Sequence, residues 1–256
     1  MNPEVYLEMA ELQAEHWWFA ARRKNIAAVI RQLSLPAQAE ILEIGCGTGG
    51  NLAMLAEFGN LRAMEYDDYA RSIAARVSGF PIASGGLPEP VPFDDGQFDL
   101  VCLLDVLEHI EDDGAALARI RRLLKPGGLL LVTAPAYGWL YSAHDRAHQH
   151  HRRYSAGRFR QLSEAAGFTA RRQGYFNTLL FPLIAALRLA RKLVGSTAEK
   201  SDAAVPPPFV NALLRAVFAA ECCVLPWRFF PFGSSVIAVI EARAGDETVE
   251  TIGNSS

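Results

Sequence analysis

A doubly wound α/β sheet is the fold this chain predicts, and three observations predict it. Short apolar runs alternate with amphipathic helical segments from residue 40 to about residue 135, the rhythm of βαβ units in a parallel sheet. The first run, residues 40–44, passes directly into the glycine turn GCGTGG. The run FDLVCLL at 98–104 is apolar on nearly every position, as a strand covered by helices on both faces must be.

Taken in order, residues 5–33 are expected to be helical. Residues 40–44 form the first strand, and 51–58 a helix with Gly59 as its C-terminal cap. Residues 61–65 and 67–77 are the next strand and helix. A short strand at 80–83 leads into the loop SGGLPEPVPFDDGQ, and 98–104 is the fourth strand. The following helix places Leu117, Ile120 and Leu124 on one face, and the turn Lys125-Pro126-Gly127-Gly128 precedes a strand at 129–133. The rhythm then breaks at the histidine-rich AYGWLYSAHDRAHQHHRRY. Ser155 caps a helix ending at Gly167. Residues 168–175 and 234–242 are the last strands, separated by apolar helix and the linker STAEKSDAAVPPP. The expected division is an N-terminal helical cap (1–37), a binding core (38–175), an apolar helical insertion or lid (176–233), and a last strand with a disordered tail (234–256).

The composition narrows the function. Half of the 256 residues are hydrophobic, enough for a sizeable core, and the net charge is -3. That balance offers no basic excess for a polyphosphate backbone, so no nucleic-acid partner is expected. Cys46, Cys102, Cys222 and Cys223 follow no metal-knuckle spacing and are read as reduced thiols. The N-terminus has no apolar signal region and no apolar run reaches the roughly 20 residues of a membrane span. The expected location is the cytoplasm, peripheral to the inner face of the membrane if the insertion meets lipid.

The stretch Ile41-Leu42-Glu43-Ile44-Gly45-Cys46-Gly47-Thr48-Gly49-Gly50-Asn51 carries the main chemical signal. Glycines let the backbone turn sharply and approach a ligand, and a helix N-terminus beyond them offers unpaired N–H groups to an anion. Glycines 45, 47 and 50 also fit the dinucleotide pattern G-x-G-x-x-G, which keeps a nicotinamide-dependent oxidoreductase open. Glu65 closes the second strand 20 residues after Gly45, where a carboxylate can accept from both hydroxyls of a ribose.

EIGCGTG, the acid Glu65, FDLVCLLDVLEHI and LKPGG together resemble class I methyltransferases that use S-adenosylmethionine (SAM). The resemblance covers about residues 38–175. It implies a Rossmann-like seven-stranded sheet with the last strand antiparallel. It implies that Gly45, Gly47 and Gly49 line the methionine and ribose, that Glu65 holds the ribose hydroxyls, and that Leu104 packs near the cofactor. Glu43, Cys46, Tyr66 and Leu87 complete the expected cofactor-binding set. Many members place an aspartate against the adenine amine. Here that stretch reads Ser84-Gly85-Gly86-Leu87, so backbone and apolar contacts are expected instead. The nearest likeness is to ubiquinone-pathway O-methyltransferases and to methyltransferases of polysaccharide or lipid gene clusters. In the former an arginine of the N-terminal helix reaches the SAM carboxylate; Arg22 stands at that place, with Arg23 as the alternate.

Four of the six histidines fall within residues 144–151. Histidine titrates near neutrality, so a general base is sought there and at His109, with Glu108 beside it. A sharper reading is a divalent metal. Asp105-x-x-Glu108-His109 followed by His150 resembles the Glu-x-x-Glu-His plus distal His site of ubiquinone-pathway and small-RNA 2′-O-methyltransferases, with one acid a methylene shorter. Purely structural histidines are the third reading. Arg152 and Arg153 suit either a substrate anion or a salt bridge at a helix start.

The apolar segment 176–233 is either a buried helical cap or a lid for a lipid-like acceptor, with Arg188, Arg191 and Lys192 suiting a membrane surface. The function expected is SAM-dependent methylation of a small-molecule or lipid-linked acceptor, at oxygen first. The alternatives are N- or C-methylation and SAM binding without turnover.

Overall fold

The structure, a computed structural model, describes residue 10, residues 12, 13 and 15–193, and residues 205–243. The expected tail at 244–256, most of the linker after residue 195, and the side chains of His144, Arg191 and Lys192 lie outside the described residues.

Seven strands form one sheet in the order β3-β2-β1-β4-β5-β7-β6. They are β1 (Ala39–Ile44), β2 (Gly59–Glu65), β3 (Ile82–Ser84), β4 (Phe98–Leu104), β5 (Leu124–Pro135), β6 (Phe168–Phe176) and β7 (Ser235–Ala242). β1 to β5 pair in parallel, and β7 runs antiparallel between β5 and β6. The expected sheet is the one observed. Crossovers between parallel strands return over the faces, so helices cover both sides. The helices are α1 (Trp17–Ile30), α2 (Leu52–Leu55), α3 (Asp68–Ser78), α4 (Asp113–Leu123), α5 (Ala143–Ala147), α6 (Ala156–Ala165), α7 (Phe181–Leu193) and α8 (Pro208–Ala219).

Side chains alternate across each strand and so divide the core in two. Leu42, Ile44, Val101 and Leu103 face α4 and α6 with Leu117, Ile120 and Phe159. Ile41, Leu100, Cys102 and Leu104 face the opposite way, onto Ile26 and Ile30 of α1 and Phe218 of α8. Part of the apolar insertion is therefore core: α8 packs on α1, with Asn25 Nδ2 donating to the Phe218 carbonyl at 2.9 Å. No described helix is long and apolar enough to cross a membrane.

Four sequence expectations shift. The helix over 51–58 is one short turn of α-helix followed by a 3₁₀ turn at Ala56–Phe58. Gly59 does not cap it in a left-handed conformation; it is extended and opens β2, where a Cβ would collide with the Ala39 carbonyl. The turn Lys125–Gly128 is drawn into β5, because Leu124 already pairs with Phe98 ahead of a bulge. The N-terminal helix is interrupted at His16, whose ring accepts from the Trp18 N–H as an N-cap.

Candidate active site

The carboxyl ends of β1, β2 and β4 open onto one cavity of about 1160 Å³. Ligands of open α/β sheets bind at this edge, and the volume slightly exceeds the roughly 300–1,000 Å³ of ordinary ligand sites.

One wall is the turn after β1. Gly45, Gly47 and Gly49 have φ of 70°, 55° and 87°, which favour glycine. The N–H groups of Gly45 and Cys46 donate to the Met64 carbonyl at 2.9 and 3.2 Å, tying the turn to β2. Glu65 Oε2 accepts from the Gly47 N–H at 2.8 Å and Oε1 from the Asp67 N–H at 3.0 Å. Gly47 faces open space, since a Cβ there would meet nothing within 4 Å. Gly45, Cys46, Gly47, Glu65, Tyr66, Leu87 and Leu104 all line the cavity. Gly49 and Glu43 stand behind this wall. Gly49 lies against the backbone of Ala74 in α3, and a Cβ there would be 3.2 Å from the Ala74 Cα. Glu43 is buried, accepts from Asn51 Nδ2 at 2.8 Å and braces the turn. Burial pushes its carboxyl up to about 7, against the Asn51 hydrogen bond and the Arg22 charge.

The second wall joins α1 to the end of β4. Arg22 is buried, donates to Thr133 Oγ1 at 3.0 Å and reaches Asp105 Oδ2 at 2.5 Å, with its guanidinium 5.1 Å from the Trp18 ring. Its Nε is buried without a hydrogen-bond partner among the described residues. Asp105 sits at φ 57°, a left-handed conformation that aspartate tolerates better than most residues. Arg23 lines the same cavity, its pKa lowered by burial and by the neighbouring Arg22 charge.

The floor holds the acids and histidines. A single turn, Leu107–His109, follows β4. Glu108 is buried, and burial together with the Asp105 charge raises its carboxyl pKa well above the usual value. His109 is pushed down to about 4 by burial and by the neighbouring His150, His148 and His151. The His109 and His150 rings meet edge to face, centroids 4.7 Å apart. One donor atom each of Glu108, His109 and His150 falls within 4.8 Å of the others. Asp105 does not join that group; Arg22 holds it instead. Arg152 and Arg153 are both paired: Arg152 with Asp113 at 2.7 Å, Arg153 with Asp145 at 2.7 Å. The salt-bridge alternative describes them.

Two site residues escaped the sequence reading. Thr133 lies mid-sheet and is met only because Arg22 crosses over it. Asp145 is fully buried and bonded to His150. Its one signal in the sequence is a lone acid among basic and aromatic neighbours. The apolar insertion contributes Ile184, Leu187 and Arg188 of α7 to the rim.

Residues 17–173 match the family described as a methyltransferase domain. A protein of Mycolicibacterium smegmatis named "probable S-adenosylmethionine-dependent methyltransferase" is 29% identical over 161 residues, 61% of this chain and 61% of that one. A dimethylglycine N-methyltransferase of Parasynechococcus marenigrum is 31% identical over 149 residues, 53% of each chain. This chain spans less than two thirds of the length of the first curated relatives it matches. A solved phosphoethanolamine N-methyltransferase of Haemonchus contortus, in complex with SAM, shares the fold with a TM-score of 0.54 at 16% identity, covering 86% of this chain and 52% of that one. The family match runs from α1 into β6 and displaces the nicotinamide alternative, and the chain belongs to the class I SAM-dependent methyltransferases.

Proposed function

We propose that this enzyme transfers a methyl group from SAM to a hydroxyl oxygen of a small-molecule acceptor with a large apolar part, free or lipid-linked, with His150 as general base. The observation that carries this reading is the convergence of Glu108, His109 and His150 on the cavity that also exposes Gly47 and Glu65.

The residues present fit the cofactor. Among the described residues Gly47 leaves open space, and the buried Arg22 Nε has no partner, a place that a carboxylate would fill. Glu65 would hold the ribose hydroxyls. Arg22, with Arg23 behind it, would hold the carboxylate. Gly45, Cys46 and Gly47 would line the amino acid and ribose, with Tyr66, Leu87 and Leu104 flanking the adenine. When bound, SAM brings an activated methyl group on a sulfonium. The protein's task is then to align the acceptor, worth up to roughly 7–11 kcal/mol in favourable cases, and to remove its proton. His150 would take the proton that the acceptor hydroxyl loses when its oxygen is methylated.

His109 assists by packing against the base. A divalent ion is the second reading, favoured by the same convergence. Glu108, His109 and His150 would hold it, and it would lower the pKa of the acceptor hydroxyl. Asp105, expected as a further ligand, is engaged by Arg22.

The apolar rim supports the acceptor class. Ile184 and Leu187 line the cavity, while Leu183 and Phe209 of the same insertion are 52% and 79% exposed. Methyl transfer to nitrogen is the rival, since one relative carries an N-methyltransferase name. Labelled SAM with a panel of apolar phenols, alcohols and amines decides between them by mass spectrometry. Ether products support the reading, and label found only on nitrogen or carbon overturns it. Chelator dialysis leaves the rate unchanged for the base and abolishes it for the ion.

A further inference from the structure

His150 is held on one side by a network that the methyl-transfer reading does not require. Asp145, on α5, is fully buried. Its Oδ1 lies 2.9 Å from His150 Nδ1 and accepts from Arg153 Nε at 2.7 Å. Its Oδ2 accepts from Arg153 Nη2 at 2.9 Å, from the Ser142 N–H at 2.8 Å and from Ser142 Oγ at 3.1 Å. Arg153 is fixed in turn by donating Nη1 to the Ala136 carbonyl at 3.1 Å, at the end of β5. The backbone closes the same loop, His150 N–H donating to the Asp145 carbonyl at 2.8 Å.

This arrangement has a chemical consequence. A carboxylate bound by a guanidinium fork and a backbone N–H is held ionised, and an ionised carboxylate only accepts. A ring nitrogen 2.9 Å from it must therefore carry the proton. The lone pair of neutral His150 is then on Nε2.

We propose that Asp145, clamped by Arg153 and Ser142, is a positioning residue that fixes His150 as the Nδ1–H tautomer and presents Nε2 to the cavity beside Glu108 and His109. The role of Nε2 as proton acceptor rests on the proposed oxygen methylation; the tautomer does not. Among the described residues, His109, His148 and His151 are further titratable groups near the ring. The pattern has the logic of a carboxylate orienting a catalytic imidazole. It also gives a role to Arg153, whose guanidinium is taken up by Asp145.

The test is the ring-nitrogen NMR spectrum of the full chain labelled with ¹⁵N-histidine, assigned with His150→Gln. Wild-type protein is expected to show His150 protonated at Nδ1. Asp145→Asn is isosteric, and its amide can donate to Nδ1, so the population moves toward Nε2–H. Adenosylhomocysteine affinity stays within about threefold, and kcat toward any hydroxyl acceptor found in the panel falls at least 100-fold with KM little changed. The proposal is overturned if wild-type His150 carries its proton on Nε2, a measurement that needs no folded variant, or if Asp145→Asn leaves the tautomer where it was. If the tautomer inverts while methyl transfer continues at the wild-type rate, Asp145 positions the ring as proposed and the base reading of His150 fails alone.

Discussion

The two halves of the cavity are built by different means. The cofactor half is made by backbone. Its turn, Gly45 to Gly49, and its acid, Glu65, lie at the ends of adjacent strands, and a single 2.8 Å bond from the Gly47 N–H to Glu65 joins them. The proposed acceptor half is made by side chains brought from the turn after β4, the segment after α5, and α7. There the joining bonds run between side chains and distant loops: Tyr154 to the Leu107 carbonyl, 47 residues apart, and His150 to Asp145. Backbone geometry is set by residue type and strand register. Side-chain geometry is set by partners, so one substitution on the acceptor side should affect chemistry while leaving the cofactor in place.

The largest effect is expected there. His150→Ala removes the proposed base, and turnover should fall on the order of 10²–10⁴-fold. Adenosylhomocysteine affinity by calorimetry should stay within about threefold; a matching loss of affinity would erase the contrast between the halves. On the other side, Glu65→Ala removes an ionised acceptor of two hydrogen bonds, each worth about 1.5–3 kcal/mol. SAM affinity should drop on the order of 100-fold, with kcat at saturation changed far less.

Glu43 offers a smaller test of how the cofactor wall is braced. Its carboxyl rises from about 4.5 unfolded to about 7 folded, because burial disfavours the charge. Between those values the folded state holds a proton that the unfolded state has released, so stability falls as pH rises through the window, by up to about 1.4 kcal/mol per unit. Glu43→Gln keeps the amide bond to Asn51 and should flatten that decline in urea titrations from pH 4.5 to 7. An unchanged slope would mean that Glu43 is not the titrating group. The smallest effect concerns lipid. The exposed Leu183, Leu187 and Phe209 should give weak co-flotation with anionic vesicles, reduced by Leu187→Ser. Absence of flotation would confine α7 to the role of a lid.

The same contrast explains what the sequence revealed. Strand period, glycine placement and a carboxylate at a strand end are local, so the sheet, Glu65 and the Gly45–Gly47 wall could be read along the chain. Gly59 could not, because its extended conformation and the crowding by Ala39 come from pairing with β1. Lys125–Gly128 reads as a turn until Phe98 captures Leu124. Asp105 reads as a companion of Glu108 and His109 because the spacing allows it; only α1, packed across the sheet, diverts it to Arg22. Asp145 was illegible for a related reason. It pairs five and eight residues ahead through an irregular loop, a spacing that belongs to neither helix nor strand.

The run AVFAAECCVLPW carries one acid, Glu221, in otherwise apolar surroundings. It is buried, and its two carboxylate oxygens accept the consecutive N–H groups of Asn177, Thr178 and Leu179 at 2.7, 2.6 and 3.0 Å. Glu221 thus ties the chain leaving β6 to the end of α8, and further bonds from Asn177 to Ser234 and from Thr178 to the Phe232 carbonyl tie it to the chain entering β7, on the cavity wall. Whatever is inserted between those two points hangs from a fixed clasp. Within that excursion α8 is fixed as core by its packing on α1, so α7 is the part that can vary without rebuilding the sheet beneath it.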